Sequence, residues 1–183
     1  MRATLRLLAA ASLAAVTFNS FAATDGTAGS SNSSGNFDIT LTVPTQIIVK
    51  NFDDMALNTT GATLGNPIEG TEDICVGGIG FGNYSVSLSS QNGSTGGSGT
   101  DPFQLNGVGQ NLPYSAAFIN NTSSTTGTAA DTNGDITGSF ARNGNLDCNT
   151  DNARVFVTVG ATEWESAVET NYSDTLTVTV TAL

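Results

Sequence analysis

The chain has 183 residues, with five Lys or Arg against sixteen Asp or Glu, no histidine and a net charge of −11. That balance leaves no basic footprint for nucleic acid or an anionic membrane surface. The missing imidazole also removes the usual base from any Ser or Cys nucleophile.

Arg2 and Arg6, the apolar run Leu7 to Val16 and the small-x-small triplet Ser20-Phe21-Ala22 form the three parts of a secretory signal peptide, residues 1–22. The apolar run is too short to span a bilayer. Cleavage after Ala22 removes two basic residues and no acid, leaving three basic against sixteen acidic side chains, a net charge of −13. About 160 residues remain, ample for one domain with its own core.

Residues 24–36 hold only Gly, Ser, Thr, Ala, Asn and Asp, which predicts a solvated leash. Phe37-Asp38-Ile39-Thr40-Leu41-Thr42-Val43 then alternates strictly. Strand side chains alternate between faces, so Phe37, Ile39, Leu41 and Val43 form one apolar edge. Pro44 cannot donate to a ladder and stops or bends that strand. Residues 23–43 are therefore set apart as leader and N-terminal strand, and residues 44–183 as the domain.

Within the domain, Gln46 to Lys50 is a β-rich run and residues 61–70 read as loop. Ile74-Cys75-Val76 is a short strand, and residues 77–82 are a glycine-rich turn. Tyr84, Val86 and Leu88 point inward from the next strand, and residues 91–100 form a polar hairpin loop. Phe103 to Leu105 precedes the Asn106-Gly107 turn. Leu112, Tyr114, Ala116 and Phe118 share a face, followed by a polar loop over residues 120–134. Residues 138–142 lead to the Asn143-Gly144 turn and Cys148. Arg154 to Val159 is apolar on nearly both faces, which places it centrally. Residues 162–170 have room for one or two helical turns, with Trp164 packed at a strand connection. Residues 174–183 close the chain on its cleanest alternation, with Leu176, Val178, Val180 and Ala182 facing the core.

Short alternating strands, Gly and Asn turns and no useful amphipathic helix specify an all-β domain. About seven strands at this size favour an immunoglobulin-like β-sandwich over a barrel, and no fixed-period repeat is present. In an oxidising compartment Cys75 and Cys148, isolated and far apart, pair most simply as one disulfide.

Candidate chemistry is sparse. The acid pairs Asp53-Asp54, Glu72-Asp73 and Glu163/Glu165 are the carboxylates a glycosidase would need, but no spacing selects one pair. Asp131-Thr132-Asn133-Gly134-Asp135 resembles the opening of a calcium loop. A full EF-hand loop needs Gly and Glu where this chain has Ile136 and Arg142, so the segment reads as a turn. The chain is expected to be no enzyme and to take no cofactor or metal.

Three stretches resemble chaperone–usher pilus (fimbrial) subunits, in particular archaic and spore coat protein U-like pilins. At the front, Gly35 to Val43 resembles the N-terminal donor segment. Leu112-Pro113-Tyr114-Ser115 looks like the "ipYsv" strand of such subunits, and residues 171–180, Asn-Tyr-Ser-Asp-Thr-Leu-Thr-Val-Thr-Val, are similar to their "Y-x-D-T-[LV]-x-V-x-[VL]" ending. The cysteines depart from the pilin pattern, in which a disulfide often joins early strands. The resemblance implies an incomplete sandwich completed by a neighbour's donor strand, with Phe37, Ile39, Leu41 and Val43 as plugs. Leu176, Val178 and Val180 would flank the acceptor groove. It implies identical or related pilin subunits, a periplasmic chaperone and an outer-membrane usher as partners. It further implies export through the periplasm to the surface of a Gram-negative bacterium, for adhesion or biofilm formation, without membrane insertion or nucleic-acid binding. The competing expectation is a monomeric secreted or surface β-sandwich binding module, adhesin or lectin-like.

Overall fold

The computed structural model describes residues 23–94 and 101–183. The expected signal peptide, and residues 95–100 of the polar loop, lie outside the described residues. The chain divides into a leader unit ending at Thr42 and a second unit, Val43–Leu183, so the last of the four alternating apolar residues falls in the second.

In the second unit a five-stranded antiparallel sheet orders its strands β1 (Gln46–Lys50), β2 (Ile68–Ile79), β9 (Ala153–Val159), β6 (Ser115–Ile119) and β7 (Thr128–Ala129). A three-stranded sheet orders β10 (Leu176–Ala182), β3 (Asn83–Ser90) and β8 (Asp135–Ala141). A small hairpin joins β4 (Gln104–Asn106) to β5 (Asn111–Pro113). Among the described residues one helix, α1, covers Ala161–Glu165 and overlaps the expected stretch of residues 162–170. Seven strands among the described residues have five residues or more, about the number the sequence suggests.

The two larger sheets contribute to one core. Ile74 and Val76 of β2, Ala116 and Phe118 of β6 and Val155 of β9 are buried in the same cluster as Tyr84, Val86 and Leu88 of β3 and Ile136 of β8. The Phe118 ring meets Phe140 of β8 edge-on at 4.9 Å and Tyr84 of β3 at 6.5 Å. Such edge-to-face contacts add to the area these rings bury. The inward faces of β3 and β6 are those the alternation predicts, and β9 occupies the middle of its sheet.

Three loop expectations are corrected, one of them because Thr128–Ala129, expected in the polar loop over residues 120–134, form β7 against β6. Residues 68–70 and 77–79 belong to β2, which runs for 12 residues. Glycine is a weak strand former, but here neighbours press against the backbone. A Cβ at Gly77 would collide with the Asn145 carbonyl oxygen, and one at Gly78 with the Gln46 carbonyl oxygen and the Phe81 ring. Close approach of a second backbone is what a strand glycine permits. This long strand pairs with β9 through Ile68–Ile74 and with β1 through Cys75–Ile79.

Cys75 and Cys148 form a disulfide with Cα atoms 5.5 Å apart, closing a sequence separation of 73. By loop-closure entropy such a link stabilises the fold by about 4 kcal/mol. The loop it ties down is further held by Asn152, whose side chain accepts from the Val76 N–H and donates to the Val76 carbonyl, both at 2.9 Å.

Candidate functional site

Three of the six acids considered for catalysis hold structural contacts. Asp73 holds Arg154 through two contacts at 2.6 and 2.9 Å. The hydrogen bond from that guanidinium, opposed by partial burial, pulls the carboxyl below its ordinary range. Glu72 accepts from the Asp53 N–H and Glu165 from the Gly65 N–H, each at 2.6 Å. In the calcium-like segment, Asp131 accepts from the Asn133 and Asp135 N–H groups at 2.8 and 2.9 Å, so it ties a turn. Among the described residues no cluster of three or more Cys, Asp or Glu is placed to hold a metal ion.

What remains is an edge. β10 is laddered to β3 on one side only. Its register with β3 and two flanking bonds, Gln91 N–H to the Thr175 carbonyl (3.0 Å) and Leu183 N–H to the Asn83 carbonyl (2.9 Å), show which backbone groups face β3. The odd-numbered residues of β10 point there. Backbone groups alternate along an antiparallel strand, so the N–H and C=O of Leu176, Val178, Val180 and Ala182 point to the open side. The side chains of Leu176, Val178 and Val180 lie against the core, half-buried. Their expected inward direction holds, and their partial burial accompanies an edge position with a strand on one side only.

β1 is the edge of the other sheet. Asn152 N–H donates to the Ile74 carbonyl and Val76 N–H to Asn152, so even-numbered residues of β2 face away from β1. The pairing of β1 with β2 therefore uses Gln46, Ile48 and Lys50, and the backbone groups of Ile47 and Val49 face outward. Ile47 and Val49 are also packed, half-buried, on the core. Cα atoms of β1 and β10 come within 8 Å of each other, closer than the roughly 10 Å between stacked sheets. No ladder joins them. Both edges thus present backbone bonding groups from the residues whose side chains line the core.

Each edge strand is pinned at an end. Lys50 donates to the Asp147 carbonyl at 2.8 Å, and Asn51 to the Cys148 carbonyl and the Asp151 carboxylate at 3.3 and 2.7 Å, so the disulfide loop holds the end of β1. Just before β10, Asp174 accepts from Ser90 Oγ and Tyr114 Oη at 2.6 Å each and from the Asn92 N–H at 3.1 Å. Burial, and then the bond to this carboxylate, push the Tyr114 phenol above its ordinary range. The tyrosine of the Leu-Pro-Tyr-Ser stretch and the aspartate of the Asp-Thr-Leu stretch are therefore one contact.

In the leader unit, Phe37, Ile39 and Leu41 are 72, 83 and 84% exposed, and no ladder runs through residues 37–43. Val43, in the second unit, is 48% exposed. The sequence reading placed the β10 residues at an edge but gave β1 no part in it. The alternation of Ile47 and Val49 was the available signal; which strand lies across from β10 is a matter of topology. Compared with protein-family models, curated proteins and solved structures, the chain matches none.

Proposed function

We propose that this chain is a structural subunit of a cell-surface pilus, polymerised by donor-strand exchange in the manner of chaperone–usher pilins. The carrying observation is the pair of unladdered edges, β1 and β10, each offering backbone bonding groups beside half-buried apolar side chains. A strand added along either edge would gain main-chain hydrogen bonds to that edge and place alternate side chains beside the core. Phe37, Ile39, Leu41 and Val43 have the required alternation and stand exposed.

Four such side chains, buried at about 1.5–3 kcal/mol each, give a gross gain of roughly 6–12 kcal/mol before ordering costs. An exposed apolar segment and an open sheet edge are aggregation hazards when left alone; delivery of one to the other on a second copy accounts for both. On this reading the domain is an immunoglobulin-like sandwich of pilin type lacking one strand. The signal peptide delivers it to the periplasm of a Gram-negative bacterium, a chaperone covers the open edges, and an outer-membrane usher replaces the chaperone with the next subunit. The fibre then serves adhesion or biofilm formation.

The test is periplasmic expression of the full chain beside a deletion of residues 23–43, followed by electrophoresis in SDS without heating. The full chain is expected to form SDS-resistant ladders, and the deletion to remain monomeric or chaperone-bound. A full-length protein that is a well-folded monomer by itself overturns the proposal and favours a self-contained binding module.

A further inference from the structure

The leader is not the open leash its composition suggests. Thr24 N–H donates to the Asn36 carbonyl at 3.0 Å, and Asn36 N–H returns the bond to the Thr24 carbonyl at 2.9 Å. The intervening residues close tightly. A side chain at Gly26 would meet Ser33 Oγ, one at Gly29 the Asn32 carbonyl oxygen, and one at Gly35 the Thr24 carbonyl oxygen.

The loop is therefore shut at the residue before Phe37, with both backbone groups of Asn36 occupied. At the far end Pro44 has no N–H to give a ladder. Between these two stops lie residues 37–43, seven positions, and the β10 edge is 7 residues long.

We infer that the shut loop of residues 24–36 is a register stop, fixing where residues 37–43 dock on the β1/β10 edges of a second copy of this chain. The inference rests on the donor-strand reading above and adds to it. Alternation already excludes a one-residue slip, because it would turn every apolar side chain outward. Alternation does not exclude a slip of two, about 6.6 Å along the strand. In one direction that slip would draw Gly35 and Asn36 into the ladder, which the closed loop forbids. In the other it would seat Pro44, which cannot donate.

The experiment uses the full chain with the photo-crosslinker p-benzoylphenylalanine at Thr40, on the side of the segment away from the plugs. It is done in the native background and in Gly26→Ser/Gly35→Ser, which puts Cβ atoms where the closed loop has no room. Amide exchange at Asn36, at least tenfold faster in the double variant, reports that the loop is open. In native multimers, cross-links are expected to concentrate on one of Thr177, Thr179 and Thr181 of the neighbouring copy. In the open-loop variant a second set should appear, displaced by two residues. An unchanged single position in open-loop multimers overturns the stop and leaves donor-strand exchange standing. Absence of any cross-link between native copies, with no SDS-resistant multimers, overturns the donor-strand reading itself and the stop with it.

Discussion

Strands β9 and β10 have the same length and similar alternation, yet their surroundings differ. β9 has a hydrogen-bonded neighbour on each side, and Ala153, Val155, Val157 and Val159 are buried. β10 has a neighbour on one side, and Leu176, Val178 and Val180, from the more regular sequence, are only half-buried. Alternation sets which way a side chain points. The number of flanking strands sets how much water it loses.

The strongest way to break this contrast is truncation within the closed part. Phe118→Ala, beside β9, is expected to cost about 3–5 kcal/mol in denaturant unfolding. Val178→Ala, on the open edge, should cost about 1 kcal/mol or less in the monomer and, on the donor-strand proposal, shorten the lifetime of multimers far more. Equal losses in the monomer would mean that β10 is as enclosed as β9.

Removing the disulfide with Cys75→Ser/Cys148→Ser should cost up to about 4 kcal/mol. It should also loosen β1, because the loop carrying Cys148 receives the Lys50 and Asn51 hydrogen bonds. Hydrogen exchange should accelerate first at Ile48 and Lys50, whose amides face β2; uniform acceleration would argue against a local role for that loop.

Tyr114→Phe removes one of the donors to Asp174 and is expected to lower stability by about 1–2 kcal/mol, with exchange in β10 rising before exchange in β9. The Tyr84 and Tyr114 phenols are both raised by burial. The unfolded chain therefore loses those protons near pH 10, while the folded chain keeps them. Their contribution is full below about pH 10 and is lost as pH rises beyond it, so urea midpoints should fall above that pH.

The smallest effect concerns Asp73, whose folded carboxyl is lowered by Arg154. A depressed carboxyl stabilises the fold above its unfolded value, near 4, and that contribution fades as pH falls through the lower folded value. Both partners are partly exposed, so the acid-side change should be slight and weaken with salt. Asp73→Asn should flatten it; an unchanged acid limb would assign the effect to other carboxylates.

The chain's own pattern determined a good deal. Period-two alternation set the all-β class and the inward faces of β3, β6 and β10, because side-chain direction is local to the strand. The near-continuous apolar run of β9 identified a central strand, which has a hydrogen-bonded neighbour on each side. Two lone cysteines, far apart in sequence, pointed to the pairing that the fold shows. Other features needed the folded chain. Gly77 and Gly78 looked like a turn until the close approach of Asn145 and Gln46 showed why a strand carries them. A leader of small polar residues looked open, and two hydrogen bonds between Thr24 and Asn36 closed it. The opposition of β1 and β10 joins residues about 130 positions apart. No local periodicity encodes which sheet edges finish side by side; packing both sheets over one core decides that.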